Sequence, residues 1–164
     1  MDSGATIWRL KWLSCPCRSV RGPLRICLLT RRGGLLARML PLARLGVLPR
    51  FSSGRQVMSW ISLSDEIGAI RFLLDRKDIS GPVNLTAPAP ATNSEFTAAL
   101  VAAVGRRDLP WLRVPAPVLR LALGEAAVEL LGSVRVLPKR LQEAGYQFRH
   151  PTLPEALAAE LASR

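Results

Sequence analysis

Residues 52–75, SSGRQVMSWISLSDEIGAIRFLLD, contain a turn, a strand pattern and a helix pattern in immediate succession. After the Ser-Ser-Gly turn the side chains alternate between two faces, as they do along a β-strand. One face carries Val57, Ser59, Ile61 and Leu63, and the other carries Gln56, Met58, Trp60 and Ser62. Because both faces include apolar residues, the pattern predicts a strand that lies between two layers of structure.

A helix is predicted directly after this strand. Ser64 is a suitable N-cap, and Asp65 and Glu66 would lie in the first turn, where the helix dipole favours anions. We interpret Asp65 as serving that dipole only. The predicted buried stripe of the helix consists of Ile67, Ile70, Leu73 and Leu74.

Strand and helix patterns alternate through the rest of the chain with short connections. Residues 24–30 and 83–87 read as strands, and 35–45 reads as a helix that contains Pro41. Thr92 and Glu95 form a capping-box pattern ahead of another helix. Further helices are predicted over 118–131, over 137–145 with Gly145 as terminator, and after Thr152. This alternation predicts the α/β class, with fewer strands than a self-standing doubly wound sheet.

The net charge of +11 is concentrated at the front of the chain. Residues 1–55 hold eleven basic residues and one acid, 11 − 1 = +10, whereas the remaining residues give 12 − 11 = +1. Such a front fits a nucleic-acid contact, a transit peptide or a misassigned start, and we favour the last. With few aromatic residues and no nucleic-acid motif, we expect no nucleic-acid partner. The apolar runs are too short for a membrane span, so no membrane partner is expected.

Cysteine and histidine give no sign of a metal site. Cys15 and Cys17 are one residue too close for the usual Cys-x-x-Cys spacing, and Cys27 has no second partner. His150, the only histidine, is expected to be structural. We predict free thiols in a reducing compartment, hence a cytoplasmic location, and no bound metal.

Four motifs in order resemble a known family: RRGGLLARMLPLARLG, SSGRQVMSWISLSDEIGAI, SGPVNLTAPAPATNSEFTAAL and RVLPKRLQEAGYQFRHPTLPEAL. Together they are similar to the C-terminal part of extended short-chain dehydrogenases/reductases, in the NAD-dependent epimerase-like group with a DUF1731 tail domain. The resemblance divides the chain into three parts. It implies a basic, disordered non-family segment over 1–23, the end of a Rossmann-like and substrate domain over 24–110, and the helical tail over 111–164.

The resemblance also shows what this sequence lacks. The family's Gly-x-Gly-x-x-Gly cradle for the dinucleotide does not occur in it. The active-site tyrosine would precede residue 24, yet the only tyrosine is Tyr146 in the tail motif. The resemblance therefore implies NAD(P) for full-length family members. For this chain we expect no cofactor and no catalytic residue.

The substrate side is the part of the family site that we expect to find here. In nucleotide-sugar members of the wider superfamily, the strand matching 56–63 carries an arginine that holds phosphate, and here that position is Met58. Gln56, Met58 and Trp60 are the predicted substrate-binding residues, although Met58 and Trp60 could equally pack as core.

Two functions follow as hypotheses. The first is a truncated NAD(P)-dependent epimerase- or reductase-like protein of unknown substrate, inactive alone, that keeps the substrate-side and tail regions. The second is a non-enzymatic interaction module that pairs or forms homo-oligomers through an exposed sheet edge.

Overall fold

The computed structural model describes residues 26–115, 117–118, 121 and 132–162. The predicted N-terminal segment 1–23, with Cys15 and Cys17, lies outside the described residues, as does most of the predicted helix 118–131. The strands are β1 Ile26–Leu29, β2 Arg50–Phe51, β3 Val57–Ser62, β4 Ala91–Thr92 and β5 Arg113–Val114. The helices are α1 Gly34–Leu45, α2 Leu63–Leu74, α3 Asn93–Ala103, α4 Lys139–Glu143 and α5 Leu153–Ala162.

The strand predicted from alternation, β3, is the centre of a three-stranded sheet in the order β1-β3-β4. β1 pairs with it in parallel, from Ile26 opposite Ser59 to Leu29 opposite Ser62. β4 pairs with it antiparallel, with Val57 opposite Thr92. β2 and β5 form a separate two-stranded parallel sheet. The few strands among several helices confirm the predicted α/β class.

The core lies between this sheet and helices α1, α3 and α5. Trp60 of β3 and Phe96 of α3 are fully buried, together with Leu29, Leu36, Leu100 and Leu157. α3 begins with the predicted capping box, in which the Thr92 hydroxyl accepts the Glu95 N–H and the Glu95 carboxylate accepts the Thr92 N–H. This start fixes α3 against the end of β4, so that Phe96 enters the core one turn later.

Two local predictions about α2 are wrong. Ser62 rather than Ser64 is the N-cap, because the strand runs into the helix without a loop and the helix begins at Leu63. The predicted stripe is not buried either: Ile67, Ile70 and Leu74 are exposed, whereas α2 buries Asp65 and Ala69. The inward face is instead the one that the tail covers.

The predicted strand over 83–87 is also absent from the assigned strands, although its last residue binds the backbone of β3. The Ala87 N–H donates to the Trp60 carbonyl at 2.7 Å, a single strand-like bond. Pro82 and Pro88, which have no N–H to donate, flank the segment, so a ladder cannot continue past it at either end. The terminator of α4 is confirmed, because Gly145 has a φ of 83° and its N–H donates to the Gln142 carbonyl.

Candidate functional site

The carboxylate of Asp65 lies at the junction of β3 and α2 and is 1% exposed. The cap residue Ser62 accepts the Asp65 N–H at 3.1 Å, and its hydroxyl donates to Asp65 Oδ2 at 2.7 Å. A burial this complete is costly for a carboxylate unless donors satisfy its oxygens. The local sequence Ser-Leu-Ser-Asp supplies the first donor through ordinary capping geometry.

The other donors come from the tail, more than eighty positions further along the chain. The backbone N–H of Arg149 donates to Asp65 Oδ1 at 2.7 Å, and that of His150 donates to Oδ2 at 3.1 Å. Hydrogen bonds to a charged acceptor are stronger than those between neutral groups. Asp65 therefore holds the Arg149–His150 backbone against the start of α2.

Tyr146 binds the next turn of the same helix. Its hydroxyl donates to the Asp65 carbonyl at 3.0 Å, and a Cβ on Gly68 would be 2.5 Å from the hydroxyl oxygen. The ring packs at an angle on Phe72 and edge-on to Phe148, with centroids 5.4 and 4.9 Å away. Burial, and secondarily the nearby Asp65 charge, raise the pKa of Tyr146, so the phenol stays a protonated donor.

We name the set Ser62, Asp65, Gly68, Tyr146, Arg149 and His150 the Asp65 clamp. The imidazole of His150 completes it, with Nδ1 3.3 Å from Ser62 Oγ, 3.2 Å from Ser64 Oγ and 3.6 Å from Asp65 Oδ2. In a Ser-His-Asp triad the serine and the acid contact different ring nitrogens. Here all three oxygens surround the same nitrogen, so this arrangement positions the tail and does not activate a serine nucleophile.

Two of the sequence-predicted substrate residues, Met58 and Trp60, lie on β3, and Gln56 immediately precedes that strand. The side chain of Trp60 is fully buried and its indole N–H donates to the Ala89 carbonyl at 2.8 Å. Gln56 is buried and donates its amide to the Phe51 carbonyl at 2.9 Å. Only Met58 is partly exposed, where its sulfur lies 3.8 Å from Asn93 Nδ2. A substrate role for these three residues stays a prediction, and their packing fits the core alternative.

Metal ions and dinucleotides bind at recognisable arrangements of side chains and glycines, and two observations on the described residues bear on them. No group of three or more histidine, cysteine, aspartate or glutamate residues is placed to hold a metal ion there. The turn after β1, Arg31-Arg32-Gly33-Gly34, enters a helix but has only this glycine pair. The N–H of Arg31, the first in this turn, donates to the Glu160 carboxylate at 2.8 Å. A donor that a diphosphate would need at this turn is therefore already bound to an acid.

Sequence reasoning did not predict the Asp65 clamp. It interpreted Asp65 as a dipole acid and did not connect it with His150, because 85 positions separate the two residues. A local signal was present: Ser62 followed by an acid three residues later is itself a capping pattern. The expectation that His150 is structural agrees with its place in the clamp.

Comparison with known proteins gives a family match for the tail and relatives for most of the chain. The family described as "Domain of unknown function (DUF1731)" matches residues 114–160, within the predicted 111–164. Epimerase family protein Mb2239 of Mycobacterium bovis is 51% identical over 130 residues, which cover 79% of this chain and 42% of that protein. Epimerase family protein SDR39U1 of Mus musculus is 40% identical over 130 residues, 79% of this chain and 44% of that protein.

Two solved structures share the fold. Human epimerase family protein SDR39U1 (isoform 2) with NADPH superposes with a TM-score of 0.77 at 34% identity, covering 84% of this chain and 46% of that one. The nucleoside-diphosphate sugar epimerase from Corynebacterium glutamicum gives 0.61 at 28% identity, covering 84% and 25%. These matches confirm the resemblance to epimerase-like extended short-chain dehydrogenases/reductases with a DUF1731 tail. It spans less than half the length of the curated relatives it matches.

Among the described residues, no helix is long and apolar enough to cross a bilayer.

Proposed function

We propose that this chain is the substrate-side and tail portion of an NAD(P)-dependent epimerase- or reductase-like protein of unassigned substrate, and that alone it neither binds the cofactor nor catalyses hydride transfer. The observation that carries the proposal is the position of Tyr146. A tyrosine that transfers a proton needs a free hydroxyl beside the substrate. The sequence has one tyrosine, and its hydroxyl is bound to the Asp65 carbonyl.

The cofactor part of the proposal rests on the missing phosphate cradle. The human relative was solved with NADPH, so a dinucleotide belongs to that protein. In this chain no Gly-x-Gly-x-x-Gly occurs, and in the turn that holds the glycine pair after β1 the Arg31 N–H donates to the Glu160 carboxylate. A diphosphate brought to that turn would meet a like charge instead of free N–H groups.

The substrate part of the proposal concerns Met58 of β3. Met58 is the partly exposed member of the predicted set, and a thioether there offers an apolar contact with no bidentate grip on phosphate. We therefore propose a small substrate without a nucleotide-sugar diphosphate. The proposal also includes a cytoplasmic location, which the free thiol of Cys27 favours.

Titration of the purified chain with NADPH tests the proposal. Free NADPH fluorescence changes when a protein binds the nicotinamide, and calorimetry gives an independent reading. The human relative that was solved with NADPH is the positive control under the same conditions. We expect saturation for the relative and no saturable signal for this chain. Micromolar binding by this chain would overturn the proposal.

A second candidate is a module that associates through a sheet edge. β1 pairs with β3 on one side, and no described strand pairs with its other side. An unpaired strand edge is a template for a further strand. Hydrogen exchange of the amides of residues 26–29 at low and high protein concentration tests this candidate. Protection that rises with concentration supports edge pairing, and protection that is independent of concentration contradicts it.

A further inference from the structure

Helix α2 exposes a line of large apolar side chains on the face opposite the Asp65 clamp. Leu63, Ile67, Ile70 and Leu74 are 36, 45, 43 and 77% exposed. They are separated by four, three and four positions, the spacing of a narrow helix–helix contact line. We name these four residues the α2 seam. A soluble protein rarely leaves such a contiguous line uncovered, since it gains stability by burying it.

The orientation of the seam is fixed by the rest of the fold. Asp65 and Ala69 point inward, and Tyr146 covers Gly68. With 100° per residue, the seam lies on the opposite side of the helix from Asp65. The helix therefore cannot turn the seam inward without breaking the clamp, and the seam remains available to a partner.

The charges beside the seam favour one kind of partner. Glu66 lies along one side of it and Arg71 along the other, and neither forms an ion pair with another described residue. If the seam residues take the a and d positions of a heptad, with Ile67 at a and Ile70 at d, then Glu66 occupies g and Arg71 occupies e, five residues later. In two parallel helices related by a two-fold axis, g of one helix lies beside the following e of the other. Glu66 of each copy then faces Arg71 of the other copy, so the dimer contains two such pairs.

We propose that the α2 seam is a self-association surface on which two copies of this chain pack α2 against α2, in parallel and around a two-fold axis. A two-fold contact needs a surface that complements itself, and this charge pattern does so only in the parallel arrangement. Antiparallel packing would bring Glu66 beside Leu73 and leave both charges unpaired. The short seam makes a weak dimer whose population depends on concentration. This contact uses no strand edge and is independent of the β1 pairing considered above.

Sedimentation equilibrium of the full chain over a range of concentrations tests the dimer. We expect the mass to rise from 17.9 kDa toward twice that value. Ile70→Glu should weaken association about tenfold or more, because it places a charge at the centre of the seam. Leu45→Glu is the matched control, since Leu45 is 73% exposed on α1, away from the seam. A mass that stays monomeric over the whole concentration range overturns the proposal.

Charge exchange tests the parallel arrangement. Glu66→Arg and Arg71→Glu should each weaken the dimer, and the double variant should restore it, because the pairs re-form with reversed signs. In a background with Cys15→Ser and Cys17→Ser, Ile67→Cys should form a disulfide-linked dimer under mild oxidation, while Leu45→Cys should not. A dimer that tolerates Ile70→Glu, or a double variant that stays as weak as the single variants, contradicts the assignment.

Discussion

The backbone N–H of Arg149 donates to Asp65 Oδ1 at 2.7 Å, so a carboxylate at the start of one helix holds a segment 84 positions away. The same carboxylate accepts the His150 N–H and the Ser62 hydroxyl. All three donors converge on one side chain that water hardly reaches. The tail is therefore bound to the α/β part by polar contacts as well as by core packing.

Replacing Asp65 with alanine should detach the tail from α2. Two partly buried N–H groups and the Ser62 hydroxyl would lose their acceptor, which costs roughly 2–4 kcal/mol of unfolding free energy at the usual cost of an unsatisfied polar group. Denaturant unfolding measures the loss, and hydrogen exchange should show it concentrated in residues 146–162. The control is Asp78→Ala, which removes an exposed partner of Arg76 and should change stability little. Equal effects of the two variants would contradict the clamp.

Gly68→Ala should also destabilise the clamp, although alanine normally favours a helix. The new Cβ would lie 2.5 Å from the Tyr146 hydroxyl and push the ring away from Asp65. Tyr146→Phe removes the clashing oxygen, so the double variant should recover part of the loss in a double-mutant cycle of unfolding free energies. Gly33→Ala is the control, because nothing lies within 4 Å of the position its Cβ would take. Additive effects of Gly68→Ala and Tyr146→Phe would argue against the contact.

Stability should fall with acid through Glu95. The Thr92 N–H and hydroxyl donate to its carboxylate and lower its pKa below the ordinary value. A carboxylate with a depressed pKa stabilises the fold fully above its unfolded pKa of about 4.3 and loses that contribution as the pH falls through the lower folded value. Glu95→Gln should flatten the pH dependence in this window. Urea midpoints measured from pH 6 down to pH 3 provide the comparison, and parallel curves for both proteins would contradict the role of Glu95.

Cys27 should resist thiol reagents while the protein is folded. Burial raises the pKa of its thiol to about 12, so almost no reactive thiolate exists at pH 8. In a background with Cys15→Ser and Cys17→Ser, labelling with a chromogenic disulfide reagent should be slow. It should become fast in denaturant, at the concentration where the fold unfolds. Rapid stoichiometric labelling of the native chain would show that β1 is not packed as described.

Local patterns predicted most of the elements, and long-range contacts account for what they missed. The β3 alternation, the Thr92–Glu95 box and the Gly145 terminator each depend on residues only a few positions apart, and each was read correctly. The face that α2 buries was misread because periodicity locates an apolar stripe without showing what covers it. That choice is made by the distant Tyr146 and Arg149.

In the candidate site, too, local patterns were recognised in the sequence and long-range contacts were missed. The sequence marked Trp60 as a site residue, since an aromatic side chain on a strand fits both a cleft and a core, and the structure buries it completely. The sequence did not mark Asp65 as a site residue, because an acid in the first turn of a helix is common. The role of Asp65 here depends on backbone N–H donors, which no residue type identifies. Motifs of side chains can be recognised in a sequence, whereas a carboxylate that binds main-chain N–H groups can be recognised only in the folded chain.

Helix α5 has a consequence for how the protein is made. Its residues Leu153, Ala156 and Leu157 complete the core around β1, and Glu160 binds the Arg31 backbone across 129 positions. The earliest described strand therefore acquires its covering only after α5, whose Glu160 lies 129 positions beyond Arg31, has left the ribosome. Until then the emerging chain exposes an unfinished apolar surface, so we expect its biosynthesis to depend on chaperones that shield nascent chains.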